Sequence, residues 1–282
     1  MGRRRPHARR LAAISAISVS ALAATSLLAA CSSSQSPAAQ SQNSTLQKVT
    51  RSGTLRVASC LTFPPFGSTD KANRPQGFDV DVAKAMAKAL GVKAKIVDTT
   101  SANRIPNLRT HKVDAVICNF TTTAERAKQV AFSDPYIVAG EVLMVKKSSH
   151  IASLKDLSGK KVAVTKGSTN GAAVKDGNPK AQIQEYDTSA AAVLAVKQGQ
   201  ADAMVEDSNF LNYQAKSDPS LKVTKVSVVP LEYNAIGVGQ GDPDWLQWIN
   251  TWLREFNTSG QNAALYKKWF GVKPVYPLNP SY

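Results

Sequence analysis

Short apolar runs alternate with helical patterns in the first half of the chain, and this alternation restricts the fold more than any other feature of the sequence. The runs at 54–58, 92–97 and 113–118 are typical of buried strands, while residues 78–90 and 103–109 carry helical spacing. Strands that alternate with helices form a parallel sheet, because each helix returns the chain to the same end of the sheet. The sequence therefore predicts an α/β fold.

The same order of elements returns in the second half. Strand patterns at 142–145 and 161–164 precede an Ala-rich helical pattern at 188–197. Residues 198–205 then repeat the pattern of residues 110–117, in which a polar turn is followed by an Asp-Ala pair and an apolar run. We therefore expect two lobes of similar architecture.

The C-terminal part carries extended patterns at 226–230 and 235–238, followed by a helical stripe of large apolar residues. The spacing of this stripe is that of a buried helix face, which predicts a core role rather than contact with a cofactor or a membrane. Its members are Trp245, Trp248, Ile249, Trp252, Leu253 and Phe256.

The first 30 residues have the features of a secretory signal peptide. Arginines near the start precede an apolar stretch rich in Ala and Ser at 11–30, which ends directly before Cys31. This pattern resembles a bacterial lipobox, which implies a diacylglycerol group on Cys31 and an anchored extracytoplasmic protein. A single membrane span is the alternative for residues 11–30. Residues 31–45 are rich in Ser, Gln and Ala and predict a flexible tether.

Charge and cysteine usage exclude several classes of function. The formal charge falls from +15 to +10 once the five signal arginines are removed, and the remaining basic residues are spread along the chain without interleaved aromatics. Nucleic-acid binding is therefore not predicted. The spacing of Cys60, Cys118 and the histidines is not that of metal ligands, so we expect no metal and no other cofactor. The sequence also contains no recognisable Ser-His-Asp or Cys-His arrangement, so we do not expect a hydrolytic enzyme.

Polar residues follow the apolar run at 113–118. Hydroxyls, backbone N–H groups and Arg126 lie within residues 119–126, and ligands of open α/β sheets bind at the carboxyl ends of strands. The planar guanidinium suits a carboxylate, held through two parallel hydrogen bonds. A surface salt bridge from Arg126 to Glu125 or Asp134 is the alternative. The segments after three other strands are expected to converge on the same crevice.

Six motifs, in order, resemble the extracytoplasmic solute-binding proteins of polar amino-acid ABC importers, bacterial solute-binding protein family 3. The motifs are GFDVDV at 77–82, NRIPNL at 103–108, TAER at 123–126, FSDPY at 132–136, DLSGK at 156–160 and KKWFG at 267–271. The resemblance implies a two-lobed periplasmic-binding-protein fold of type II, with two parallel-type sheets joined by two crossover strands near 136–140 and 232–236. The first lobe would comprise 46–138 and 234–282, and the second lobe 139–233.

The resemblance also implies which residues contact the ligand. The α-carboxylate clamp falls on Arg126, helped by Thr121 and the loop at Thr169. The ammonium site falls on Asp207, the hydroxyl of Thr121 and the backbone carbonyl of Asn119. A zwitterion that leaves water needs both charges paired, which agrees with this arrangement.

Other family positions concern the ligand side chain. An aromatic shelf falls on Phe63, and the side-chain contacts fall on Cys60, Ser101, Thr165 and Glu206. Thr165 replaces a Lys-type contact and Glu206 adds a negative charge, so we expect a neutral polar or cationic amino acid rather than glutamate or aspartate. The alternative is that Glu206 points to solvent.

The function implied is that of a lipid-anchored substrate-binding component, not an enzyme, which captures an amino acid by hinge closure and delivers it to an ABC permease in the membrane. We expect a monomer without cofactors on the extracytoplasmic side of the cell membrane. The alternative is a periplasmic dehydratase of the cyclohexadienyl or arogenate type, with Glu206 as general acid. Cys60 and Cys118 lie at the ends of two strands that are neighbours in this family. The two cysteines therefore form either a disulfide or a pair of buried free thiols, and the sequence leaves both alternatives open.

Overall fold

The computed structural model describes residues 44–225 and 227–274. The predicted signal peptide and Cys31 lie outside these ranges. The strands are β1 (Thr54–Ser59), β2 (Ser68–Thr69), β3 (Pro75–Gln76), β4 (Lys93–Asp98), β5 (Ala115–Val116), β6 (Ala131–Ala139), β7 (Glu141–Lys146), β8 (Lys161–Thr165), β9 (Gln182–Tyr186), β10 (Ala203–Asp207), β11 (Leu221–Val223) and β12 (Glu232–Val238).

The helices follow the predicted alternation closely. They are α1 (Thr45–Ser52), α2 (Phe78–Ala89), α3 (Arg104–Arg109), α4 (Ala124–Ala127), α5 (Asn170–Gly177), α6 (Ser189–Gln198), α7 (Ser208–Ser217), α8 (Pro243–Thr258) and α9 (Gln261–Phe270), with 3-10 turns at Ser101–Asn103 and Leu154–Leu157. In the described ranges, no helix is apolar over the length that a membrane crossing requires.

Two five-stranded sheets form the two lobes. The strand order is β4-β1-β5-β12-β6 in the first sheet and β11-β7-β10-β8-β9 in the second. Parallel pairing holds for β1 with β4 and β5, and for β8 with β9 and β10. However, β12 runs antiparallel to β5 and β6, and β7 runs antiparallel to β10 and β11. Both sheets are therefore mixed, not parallel as predicted, because the strands next to the crossovers enter from the opposite lobe.

The chain passes between the sheets at two neighbouring places. β6 continues through Gly140 into β7, and the segment after β11 leads back into β12. β6 and β12 pair with each other, with Glu232 opposite Ala139. The first residues of β7 and β12 thus lie where the lobes meet.

Helix α2 shows how the sequence builds the first lobe. Phe78, Val82 and Met86 are fully buried on one face, as the helical spacing predicts. Gly77 precedes the helix with φ of 134°, and a Cβ there would lie 2.2 Å from the carbonyl oxygen of Phe66. Only glycine permits this entry into the helix.

The aromatic stripe of α8 lies in the core, as predicted, with Trp245, Ile249 and Phe256 buried. Two local features differ from the expectations. Residues 227–230 are not in a strand, and β11 lies before them instead. Helix α1 begins at Thr45, the last residue of the predicted tether, and its N-terminus is joined to that of α8 by a hydrogen bond from the Ser44 hydroxyl to Asp242 at 2.7 Å.

Candidate functional site

A cavity between the two sheets collects the polar ends of strands from both lobes. Nine of the ten predicted ligand-contacting residues line it, and Arg126 is the exception. The nine are Cys60, Phe63, Ser101, Asn119, Thr121, Thr165, Thr169, Glu206 and Asp207, and further lining residues include Arg104, Glu141, Asn170, Ser189 and Glu232. The convergence of strand ends on one crevice is thus present.

Arg126 lies beside the cavity rather than in its wall. Its backbone N–H is capped by the hydroxyl of Thr123 at 3.1 Å, which fixes the first turn of α4. Its guanidinium donates to the carbonyl oxygens of Thr121 at 2.6 Å and Gly167 at 3.0 Å, and it lies over the ring of Phe120. The side chain therefore points toward the cleft and reaches across it.

The proposed surface partners of Arg126 are engaged elsewhere. Glu125 pairs with Lys128 at 2.7 Å, and Asp134 lies 3.9 Å from Arg254. The alternative of a surface salt bridge for Arg126 is therefore wrong for this structure.

Arg104 is a site residue that the sequence reasoning missed. Its side chain is buried over the ring of Phe120, at 4.5 Å from the ring centroid. Its guanidinium donates to four carbonyl oxygens, those of Ser101, Cys118, Asn119 and Gly167, at 2.9 to 3.2 Å. Burial, followed by repulsion from Arg126, lowers the pKa of Arg104 to about 9. Helical spacing alone does not distinguish a buried arginine from an exposed one, so only its motif could have drawn attention to it.

Gly167 of the second lobe is in direct contact with the first lobe. Arg104 and Arg126, both of the first lobe, donate to its carbonyl oxygen. Its φ of 78° is left-handed, and a Cβ there would lie 2.6 Å from the Cα of Ala102. A side chain at this position would therefore prevent the observed approach of the lobes.

Glu206 is buried and faces the cavity, so the alternative that it points to solvent is wrong. Its carboxylate accepts hydrogen bonds from Thr165 at 2.8 Å, Ser189 at 3.0 Å, the Asn170 amide at 3.4 Å and the backbone N–H of Asp207 at 3.1 Å. Burial raises the pKa of Glu206, and these bonds oppose that rise. A carboxylate has about four acceptor sites, so the protein itself occupies those of Glu206.

Asp207 caps a helix and also lines the cavity. Its Oδ1 caps α7 by accepting the backbone N–H groups of Asn209 at 2.7 Å and Phe210 at 3.3 Å. Its Oδ2 accepts a longer hydrogen bond, at 3.4 Å, from the side-chain amide of Asn119 in the other lobe. Burial raises the pKa of Asp207 to about 7, and the charge of Glu206 adds to the rise. Oδ2 has room for a further donor.

Asp79 holds the segment after β5 in place through a hydrogen bond to Asn119. The sequence favoured a role for it at the helix start, but its side chain is buried and bonds two other segments. It accepts the backbone N–H of Asn119 at 2.9 Å and the hydroxyl of Tyr136 at 2.8 Å. Asn119 has a left-handed φ of 41°, which this bond helps to hold. In the described ranges, no group of three potential ligands could hold a metal ion.

Cys60 and Cys118 form a disulfide at the cavity wall, with 5.2 Å between their Cα atoms. Of the two alternatives left open, this is the one present. Next to it, the ring of Phe63 stacks on Phe210 of the second lobe, with 4.2 Å between the ring centroids. Phe63, the predicted aromatic shelf, thus lines the cavity with its ring packed against the second lobe.

Glu141 and Glu232, the first residues of β7 and β12, were also missed. The hydroxyl of Thr169 lies 2.9 Å from Glu141 Oε1 and 3.4 Å from Glu232 Oε2, and Thr121 donates to Glu232 at 3.1 Å. Burial, followed by repulsion from Glu232, raises the pKa of Glu141 to about 8. An acidic residue directly before the apolar run at 142–145 is the signal that could have identified Glu141, whereas Glu232 has no such signal.

Comparison with known proteins decides the family. The family model of the bacterial extracellular solute-binding proteins, family 3, matches residues 55–272. The chain belongs to this family. The resemblance in its six motifs is thereby confirmed.

The relatives of this family 3 member include proteins known by sequence and by structure. The ABC transporter glutamine-binding protein GlnH of Bacillus subtilis (strain 168) is 37% identical over 204 residues, which are 71% of this chain and 74% of the relative. The structure of an ancestral amino acid-binding protein, described as a precursor of cyclohexadienyl dehydratase, is 42% identical with a TM-score of 0.76, and the match covers 80% of this chain and 100% of that one. An ancestral arginine-binding protein bound to arginine is 40% identical with a TM-score of 0.73, covering 78% and 99%. All three are described as binding proteins, and the two-lobed fold agrees with both structures.

Proposed function

We propose that this family 3 protein is the amino-acid-binding component of an ABC importer, which captures one amino acid between its lobes and delivers it to a membrane permease. The observation that carries the proposal is the cavity in which buried carboxylates of the second lobe meet the buried guanidinium of Arg104 from the first lobe. A zwitterion is held in such a place only if each of its charges has a partner. Relatives named for glutamine and arginine support the same substrate class.

In this proposal the two charges of the ligand have separate partners. Arg126 pairs with the α-carboxylate, using the N–H groups that its bonds to Thr121 and Gly167 leave free. Asp207 Oδ2 accepts the α-ammonium group. Phe63 covers the stem of the ligand. The remaining contacts are proposed for Asn119, Thr121, Thr169, Cys60, Ser101, Thr165 and Glu206.

The charge of the cavity supports a neutral polar or cationic side chain. Five carboxylates line it, against the single lining guanidinium of Arg104, and they are those of Glu141, Asp187, Glu206, Asp207 and Glu232. That guanidinium already donates to four carbonyl oxygens. An acidic ligand side chain would add a like charge without a free partner, which disfavours glutamate and aspartate.

Binding is proposed to stabilise a closed arrangement of the lobes, 46–138 with 234–282 and 139–233, about crossovers near 136–140 and 232–236. Contacts across the cleft, such as those at Gly167, form only when the lobes are close. A ligand with partners in both lobes shifts the population toward this state, and a permease could read the difference.

The chain is proposed to act as a monomer on the extracytoplasmic side of the membrane. Its anchor would be a lipid on Cys31, followed by the tether of residues 31–45. Replacement of Cys31 by Ser should release the protein from the membrane fraction of cells that express it. Retention of Cys31→Ser in that fraction would contradict the lipid anchor.

A thermal-shift screen of the common amino acids tests the function. A ligand present at 100 times its Kd raises the apparent stability by about 2.7 kcal/mol, so a tight ligand is identified by its shift. We expect at least one neutral polar or basic amino acid to raise the melting temperature. Incubation with prephenate or arogenate should give no product. Dehydration of either compound, or a screen without any shift, would contradict the proposal.

A further inference from the structure

The C-terminal helix α9 belongs to the first lobe and is fixed there near both of its ends. Asn262, at its start, donates a hydrogen bond to the carbonyl oxygen of Tyr136 in β6 at 2.8 Å. Near its end, Lys268 and Trp269 donate to the carboxylate of Asp81 in α2 at 2.6 and 2.8 Å. The helix therefore moves with the first lobe.

Tyr266, in the middle of α9, reaches the second lobe. Its side chain is 6% exposed, and its ring packs against Phe78 and Phe270 of the first lobe, with centroids 6.0 and 4.4 Å away. Its hydroxyl donates to the side-chain oxygen of Asn209, the second residue of α7, at 2.7 Å. Because the ring is held by one lobe and the acceptor belongs to the other, this hydrogen bond forms only when the lobes are close.

Asn209 also contacts the proposed partner of the ammonium group. Its backbone N–H donates to Asp207 Oδ1 at 2.7 Å, and the N–H of Phe210 donates to the same oxygen at 3.3 Å. Burial, followed by the negative charge of Asp207, raises the pKa of Tyr266 to about 12, so the hydroxyl keeps its proton. The hydrogen bonds from Tyr266 to Asn209 and from Asn209 to Asp207 thus connect the first lobe to the ammonium partner.

The lobes meet at two separate places around the cavity. At the first, two arginines of the first lobe, one of them the proposed carboxylate partner Arg126, bond the carbonyl oxygen of Gly167. At the second, the first turn of α7 receives the hydroxyl of Tyr266 and the stacked ring of Phe63. Among the described residues, those that line the cavity do not include Tyr266, so it contacts this turn from outside the ligand space.

We propose that Tyr266 is a positioning residue for ligand capture, whose hydroxyl holds Asn209 and thereby fixes the first turn of α7, with Asp207, in the closed arrangement. Loss of the hydroxyl then speeds release of the ligand, although Tyr266 does not touch it. This inference rests on the proposed amino-acid-binding function and adds to it a role for the C-terminal helix.

Two substitutions remove the hydrogen bond from opposite sides. Tyr266→Phe keeps the packed ring, and Asn209→Ala keeps the backbone N–H that bonds Asp207. Tyr213→Phe is the matched control, since it lies on the same helix as Asn209 and is 44% exposed. Calorimetry and stopped-flow kinetics with L-arginine and L-glutamine compare these variants and the double variant with wild type, each as the full mature chain.

Each single variant should bind about fivefold more weakly, as the loss of one net hydrogen bond implies. The change should lie in the release rate, with the association rate within about twofold of wild type and of Tyr213→Phe. The double variant should bind no more weakly than the weaker single variant, because both changes remove the same bond. Packing of Tyr266 within the first lobe alone would lower the melting temperature and leave the release rate unchanged.

Release rates within about twofold of wild type in both single variants, or effects that multiply in the double variant, would overturn the inference. If wild type binds neither probe, the thermal shift given by an equimolar mixture of the common amino acids replaces the titration, and it should be smaller in both single variants than in Tyr213→Phe. Equal shifts would overturn the inference, whereas a wild type that does not respond to the mixture would overturn the proposed function itself.

Discussion

The guanidinium of Arg104 donates a hydrogen bond to the carbonyl oxygen of Gly167 at 3.0 Å, and this bond joins the two lobes across the cleft. It is possible because Gly167 has a left-handed backbone and no side chain, so that Ala102 can approach it closely. Closure of the lobes and the identity of residue 167 are therefore linked.

Replacement of Gly167 by Ala should weaken ligand binding. A Cβ would lie 2.6 Å from the Cα of Ala102, so the closed state would lose population and the apparent Kd would rise, by about tenfold if closure becomes ten times rarer. Gly159→Ala is the matched control, because its φ of 70° gives the same backbone strain while nothing lies within 4 Å of the added carbon. Calorimetry should show weaker binding for Gly167→Ala alone, and equal affinities in the two variants would contradict the steric account.

Replacement of Arg126 by Ala should cost roughly 3 to 5 kcal/mol of ligand affinity, because it leaves a buried carboxylate without its partner. Arg126→Lys should retain part of the affinity, since it keeps the charge and loses the planar fork. Arg109→Ala, at an exposed position, is the control. Affinity unchanged within about threefold in Arg126→Ala would refute the carboxylate clamp.

The disulfide between Cys60 and Cys118 should contribute substantially to stability. The bonded residues are 58 positions apart, and closing a loop of that length restricts the unfolded chain by roughly 4 kcal/mol. In a Cys31→Ser background, urea denaturation with and without reductant should show this difference. Thiol titration of the unfolded, unreduced protein should find no free thiol, and two free thiols would contradict the bond.

Stability of the ligand-free protein should fall between about pH 5 and pH 8. Burial is the main cause that raises the pKa of Asp79 and Asp207 to about 7 and of Glu141 to about 8, from ordinary values of 3.8 and 4.5. The folded state therefore binds more protons than the unfolded state in this window. The stability that these protons contribute is fully present below the ordinary pKa values and is lost as the pH rises through the raised pKa values.

Urea denaturation across that window measures the effect. Asp79→Asn removes one of the buried carboxyl groups with a raised pKa, so the stability of this variant should depend less steeply on pH than that of wild type. The pKa of Asp218 is lowered to about 2, so this group does not change the stability between pH 5 and pH 8. A free energy of unfolding that increases from pH 5 to pH 8 would be inconsistent with these buried carboxyl groups.

The sequence predicts the elements of the fold well where periodicity is local. The buried face of α2 and the aromatic stripe of α8 follow from spacing alone, since each is a property of one segment. The direction of β7 and β12 does not follow, because it depends on which lobe a strand enters from. For this reason the sequence predicted parallel sheets, whereas the structure contains mixed ones.

The position of the candidate site could be predicted from the sequence, but several of the residues that line it could not. Strand ends located the cavity, and the family resemblance named nine of the residues that line it. Arg104, Glu141 and Glu232 were missed because a charged residue in a helix or at a strand start is usually exposed, and only packing from distant segments buries it. Hydrogen-bond saturation, which distinguishes Glu206 from Glu141, has no counterpart in the sequence.

Calorimetric titration of the wild-type protein with arginine, glutamine and glutamate tests the central claim most directly. An acidic cavity with Arg126 as the carboxylate partner predicts that arginine or glutamine binds and that glutamate binds most weakly. Preferred binding of glutamate would contradict the account.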